Sequence, residues 1–272
     1  MIRGCRPVAA LLVVMAAATP VAAPVAAQTR LPFAGQCATG KALDPAIASL
    51  RFDAARSDEF AGTALDRSKW HNTNPLWAGR DTGRFHPSQV RVGDGQLQLS
   101  TSVNRIDKAS QFLNGTIVSK ATFRYGYYEA RTRTAANAVT SSFWFYREEA
   151  NYWTELDVHE NGGTERLRNE VRTNEHVFRV PGHMGLPRRG TPVEVAMPYD
   201  IRTRWTVYGL YWTPKRIDLY VNGCLRRSIP NDVFHQDLNA VFDMEIMVDW
   251  MGSPDPTKLP AVFRIDYFRV WQ

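Results

Sequence analysis

The sequence predicts an all-β protein, a two-sheet antiparallel β-sandwich, and three observations carry that prediction. Roughly a dozen short segments alternate apolar and polar residues. Two pairs of them are joined by Asp-Gly or Asn-Gly dipeptides, the turn chemistry of tight hairpins. No long amphipathic helical pattern interrupts the series. Of 272 residues, 44% are hydrophobic and 31 are aromatic (8 Trp, 10 Tyr, 13 Phe), while Gly and Pro together stay near an eighth. That balance excludes disordered, collagenous and coiled-coil chains, and the length suits one large domain with its own core.

Taken in order, residues 1–27 read as a secretory signal. Arg3 and Arg6 provide the positive start, residues 8–18 an apolar run, and Val25, Ala26 and Ala27 a small-residue cleavage site. Pro20 and Pro24 interrupt the segment before it reaches the roughly 20 apolar residues of a membrane span. Cleavage after Ala27 takes Arg3 and Arg6 with it and lowers the formal net charge from +6 to +4. The mature chain is therefore expected to be secreted, extracellular or periplasmic, free of the membrane and monomeric. Residues 28–57, with Pro32, Gly35, Gly40 and Pro45 and no sustained period, predict an irregular N-terminal arm. Cys5 leaves with the signal, so Cys37 and Cys224 are the one remaining pair. In an oxidising compartment a disulfide between them is expected, two buried thiols being the alternative.

From residue 58 to 272 the strand pattern takes over. Val90 and Val92, then Asp94-Gly95, then Leu97 and Leu99 spell one hairpin; segments 216–221 and 224–229 around Asn222-Gly223 spell a second. Further strands are predicted at 116–120, 125–134, 140–147, 152–160, 168–178, 205–212, 241–250 and 262–271.

The most informative of these holds Glu155, Asp157 and Glu160. On a helix Glu155 and Asp157 would lie about 200° apart and share no face. On a strand, Trp153, Glu155 and Asp157 share one face, with Leu156 and Val158 on the other. Glu160 is then out of phase, and one β-bulge near His159 restores it. Adjacent carboxylates raise the proton affinity of at least one of their number, which is what acid/base chemistry needs. The same residues also fit a solvated strand face, or a metal site using His159 and Glu160.

The run from Glu155 to Glu160 resembles the E-[IL]-D-x-x-E signature of glycoside hydrolase family 16, in its bulged form. Further likenesses lie at Ser57 to Gly62 before Trp70, at Tyr125 to Arg131, at Ser141 to Phe145 and at Phe263 to Val270. The resemblance implies a jelly-roll (concanavalin-like) sandwich with a concave substrate cleft, and a retaining endo-glycoside hydrolase. It implies Glu155 as nucleophile, Asp157 as its helper and Glu160 as general acid/base. No cofactor is expected for catalysis; Asp266 matches an acid near the structural calcium that many members hold.

The substrate is expected to be a polysaccharide, with sugar faces stacked on aromatic rings. Trp144, sharing parity with Ser142 and Tyr146, is the first candidate platform and Trp153 the second. Trp77 and Arg80, three residues apart, resemble the equivalent stretch of red-algal galactan hydrolases, and a guanidinium can bind sulfate through two hydrogen bonds. Arg168, Glu170, Arg172, Asn174 and His176 share one parity and offer more cations, Arg172 and His176 being taken as substrate contacts. Glu245 is expected to bind hydroxyls. Laminarinases typically carry Trp-Pro-Gly before their acids, where this chain has Asn151 to Thr154, so a galactan of porphyran, agar or carrageenan type is favoured. A laminarinase-type β-1,3-glucanase and a non-catalytic carbohydrate-binding sandwich are the alternatives. Although the pI is 9.3, the arginines are scattered and no nucleic-acid motif is present, so no nucleic-acid partner is expected.

Overall fold

The two turn dipeptides sit in the left-handed conformations that Asx-Gly tolerates: φ is 59° and 71° at Asp94 and Gly95, and 50° and 73° at Asn222 and Gly223. They close the two hairpins at the residues expected. The computed structural model describes residues 1, 31–37, 41–181, 188–190 and 192–272; the proposed signal, with Arg3, Arg6 and Ala27, lies outside the described residues.

The strands are β1 (Trp70–His71), β2 (Gly79–Arg80), β3 (Gly83–Phe85), β4 (Val90–Gly93), β5 (Gln96–Val103) and β6 (Phe112–Asn114). They continue with β7 (Thr116–Phe123), β8 (Gly126–Arg133), β9 (Thr140–Glu148), β10 (Trp153–Gly162), β11 (Glu170–Arg179) and β12 (Arg188–Arg189). The last are β13 (Val193–Ala196), β14 (Thr206–Trp212), β15 (Arg216–Val221), β16 (Cys224–Pro230), β17 (Leu238–Asp243) and β18 (Ala261–Trp271). The sheet that carries the acids has the order β1-β7-β17-β9-β10-β11-β12, with β13 also on β11. The second sheet runs β16-β15-β14-β8-β18-β5-β6-β3-β2, with β4 on β5. All pairs are antiparallel except β3 with β6.

Between the sheets lies the core that the alternation encoded. Along β5, Leu97 and Leu99 are buried while Gln96, Gln98 and Ser100 are only half-buried. Phe143 from one sheet meets Phe268 from the other and Phe145 meets Tyr128 and Trp212, with Phe143 stacked flat on Phe242 at 4.6 Å. Burial of these rings is the dominant stabilising contribution.

Two strand expectations are corrected. Segment 241–250 is not one strand: β17 ends at Asp243, and Val248–Met251 forms a short helix, α1, closed by Gly252 at φ 78°. Met244 and Ile246 still turn into the core while Glu245 lines the cleft, so the apolar period runs past the last ladder pair and conceals the break. Arg168 precedes β11 rather than sharing its face, and pairs with Glu165 at 3.0 Å. The stretch at Ser57 to Gly62 contributes a single bridge, Asp58 to Phe268, and Asp58 accepts the Trp70 indole N–H at 2.9 Å.

The arm docks on the second sheet. The Phe33 N–H donates to the buried Glu129 at 2.9 Å, Ala42 bridges Cys224, and Cys37 and Cys224 form a disulfide. This bond closes a loop of 187 residues, so its effect on the unfolded chain is large. Replacing both cysteines with serine is expected to cost about 2–4 kcal/mol, read as a lower midpoint in urea. An unchanged midpoint would mean that the arm contributes no stability.

Candidate active site

β10 carries the acids and pairs with β9 on one side and β11 on the other. Its register against β9 shifts between Asp157 and His159, so Val158 is the extra residue of a bulge. Glu155 therefore faces Tyr146, Asp157 faces Trp144 and Glu160 faces Ser142. All six line one cleft of about 330 Å³ on the outer face of the sheet. Leu156 and Val158 turn into the core. His159 is also fully buried there, near the Ser141 carbonyl and Tyr208, and burial pushes its imidazole down to about 3. It is neutral and on the wrong face to join Glu160 at a metal, which removes that alternative.

The cleft floor gathers Glu155, Asp157, Glu160 and Glu245, with Asp243 fully buried near Glu160 and Glu245. Burial, then Asp157 and Glu160, pushes the Glu155 carboxyl well above its usual range. Burial, then Asp157 and Glu245, pushes Glu160 up to about 8, while Arg172 and Arg80 pull it down. Asp243 is fully buried and is raised by burial and by Glu245. Carboxyls so crowded and desolvated share protons, and the cluster holds at least one at neutral pH. His176 borders the cluster, its Nε2 3.4 Å from Asp157 Oδ2 and 3.7 Å from Glu155 Oε1. His176 thus sits against the acids rather than out along the cleft as a sugar contact, with Asn174 3.0 Å away.

The other candidates divide. Trp77, Arg80, Trp144, Trp153 and Glu245 all line the cleft with the acids. Trp153 stacks on Phe178 at 4.3 Å, which covers part of its ring. The Arg80 Nε–H donates to Glu245, so Glu245 first serves as the anchor of that arginine and only its remaining edge faces a ligand. Burial raises the Glu245 carboxyl although Arg80 pulls the other way. Arg172 does not line the cleft; its guanidinium lies over Trp250 of α1 at 4.7 Å and acts on Glu160 by charge. Glu148, Met247 and Asp243 went unread. Carrying the parity of residues 142–146 forward finds Glu148, and stepping two back from Glu245 finds Asp243.

Asp266, the acid matched to the structural calcium, accepts a hydrogen bond from Arg131 at 2.8 Å. Among the described residues the one group of three side chains with metal-ligating spacing is Glu155, Asp157 and His176, two of the cleft acids and the histidine beside them.

A β-sandwich bearing a bulged strand with a proton-sharing acid triplet, in an aromatic-walled cleft, defines the class of glycoside hydrolases that work with paired carboxyls. Comparison with known families agrees. The family description Beta-porphyranase A-D, GH16 domain, matches residues 52–272, and the chain belongs to glycoside hydrolase family 16, an endo-glycoside hydrolase of the galactanase and glucanase type. It is 29% identical over 223 residues to β-porphyranase E of Zobellia galactanivorans, covering 75% of this chain and 79% of that one. A β-glucanase of Rhodothermus marinus is 24% identical, covering 79% and 84%. The crystal structure of porphyranase B from Zobellia galactanivorans superposes with a TM-score of 0.73 at 21% identity, over 85% of this chain and 96% of that one.

Proposed function

We propose that the protein is a secreted, monomeric, retaining endo-hydrolase of a sulfated red-algal galactan, needing no cofactor. The observation that carries the substrate is Arg80, which lines the cleft that contains the acids: Glu245 holds its Nε, its guanidinium lies 5.8 Å from the Trp77 ring, and its two Nη groups have no hydrogen-bond partner among the described residues. A planar cation with a free edge beside an aromatic platform suits a sulfated sugar. The porphyranase relatives lend the same support.

In the first step the Glu155 carboxylate attacks the anomeric carbon while Glu160 gives its proton to the departing glycosidic oxygen. In the second, Glu160 takes a proton from water, whose oxygen attacks the same carbon and releases Glu155. The double displacement runs from the protonation state in which Glu155 is ionised and the proton shared by the cluster resides on Glu160; burial and Asp157 raise both carboxyls, so the two titrate as a pair. The glucanase relatives support a second reading, the same chemistry on a β-1,3-glucan.

A reducing-end assay on porphyran, agarose, kappa-carrageenan, furcellaran and laminarin tests the proposal. Release from one red-algal galactan is expected; release from laminarin alone would overturn the substrate. For Arg80→Ala the expected result is a roughly 10–100-fold loss of kcat/KM, the size of a charge-assisted contact, confined to sulfated substrate. Equal loss on neutral agarose would mean that Arg80 serves only to neutralise Glu245.

A further inference from the structure

The outer face of the acid-bearing sheet does not end at Trp144. A second cavity of about 230 Å³ continues across β9, β17, β7 and β1, and Leu76, Tyr146 and Glu148 line both. The register makes the connection direct: Asp157 faces Trp144, Trp144 faces Val241, Val241 faces Val118 and Val118 faces His71. At about 4.8 Å per strand, this row runs roughly 19 Å from the acids to His71. Val118, Trp144 and Val241 pack beneath Tyr146 as an apolar strip along it, and the half-buried Tyr146 ring, which lines both cavities, is the part of it on which a sugar face can lie.

The far end of the strip is chemically different. Lys120 is exposed there and has no ion-pair partner among the described residues. His71 is held below its usual value by burial and by the positive charges of Lys120 and Arg67. Asn74 spends its Oδ1 on the Leu76 N–H at 3.0 Å, while its Nδ2 is buried with no acceptor. The remaining charges of this cavity lie toward Tyr146: Arg147 is paired with Glu149 at 2.8 Å, and Glu148 accepts from the Tyr146 hydroxyl at 3.4 Å and stands 4.0 Å from Arg179. What the far end offers, then, is positive charge without a counterion and a desolvated donor without an acceptor. An anion answers both.

We propose that this cavity is an outer subsite that binds a sulfate ester of the substrate chain, several sugar units from the point of cleavage, through Lys120 and the Asn74 amide. The proposal rests on the sulfated-galactan reading and extends it from one sulfate contact to two, at Arg80 and at Lys120. It makes recognition depend on a sulfation pattern that spans the cleft.

The test uses the mature chain carrying Glu155→Ala, so that ligand survives, titrated calorimetrically with sulfated galactan oligosaccharides and with the same oligosaccharides after desulfation. Lys120→Gln is expected to reduce the preference for the sulfated set about 5–20-fold, whereas Lys215→Gln, in the exposed turn between β14 and β15, leaves it intact. Independently of any change at Lys120, the His71 imidazole followed by NMR is expected to titrate at higher pH when sulfated ligand is bound, because the anion offsets Lys120 and Arg67. Full preference in Lys120→Gln with His71 unmoved would overturn the outer subsite while the substrate reading stands. Equal affinity of the parent protein for both ligand sets would overturn the substrate reading and the subsite with it.

Discussion

Replacing Glu155 with alanine is expected to reduce turnover on the order of 10⁴-fold or more, the scale on which loss of an attacking nucleophile is felt, without lowering the melting temperature. Glu155 is desolvated on the cleft floor beside Asp157 and Glu160, and each of these influences disfavours its ionised form. Removing it relieves the crowding of carboxyls and breaks no structural hydrogen bond found among the described residues; its one ion-pair contact there is with His176 at 3.7 Å. Catalysis and stability therefore part company at this position. Reducing-end release and calorimetric melting on the same preparation measure both, and a variant with a near-native rate would show that the chemistry belongs to another residue.

For Glu160→Gln the expected loss is roughly 10²–10⁴-fold, that of a general acid, with a pH signature that distinguishes it. Burial and the neighbouring carboxylates raise Glu160 to about 8, so the native protein's activity falls as pH rises through that value and the proton is lost. The glutamine variant keeps no such alkaline limb. Stability follows the same group. Because the folded value lies above the unfolded one, the native state holds the extra proton between about pH 4.3 and the folded value near 8. The favourable contribution is complete below that window and is lost as pH rises through it. Glutamine cannot ionise, so the melting temperature of Glu160→Gln relative to the native protein should climb between pH 5 and 8. A difference that stays flat or falls would mean that Glu160 is ionised at neutral pH and cannot be the acid.

Much of the site was legible because strand parity is a local property. Trp153, Glu155 and Asp157 had to share a face once Leu156 and Val158 were assigned to the core, and the phase error at Glu160 demanded the bulge that occurs at Val158. The even positions of β9 were read in the same way, and Ser142, Trp144 and Tyr146 meet the acids as expected. Parity failed where the strand itself ended. Residues 244–246 keep the alternation of β17 without its ladder, so the helix that puts Trp250 over Arg172 was invisible. Arg172 accordingly has the predicted phase but spends its guanidinium on an indole instead of the cleft.

What the sequence determined by itself was the fold class, the two hairpins, the bulge and the shared face of the acids, since each depends on residues a few positions apart and on the steric preferences of Gly, Asx and alternating side chains. The tertiary structure alone decided what those acids experience. Arg80 meets Glu245 across 165 residues, and His176 reaches Asp157 because β11 pairs with β10. The proton held by Glu160 is fixed by burial and by Asp157 and Glu245 together. Desolvation and charge pairing are properties of the space that several distant segments enclose, and no local period in the chain encodes them.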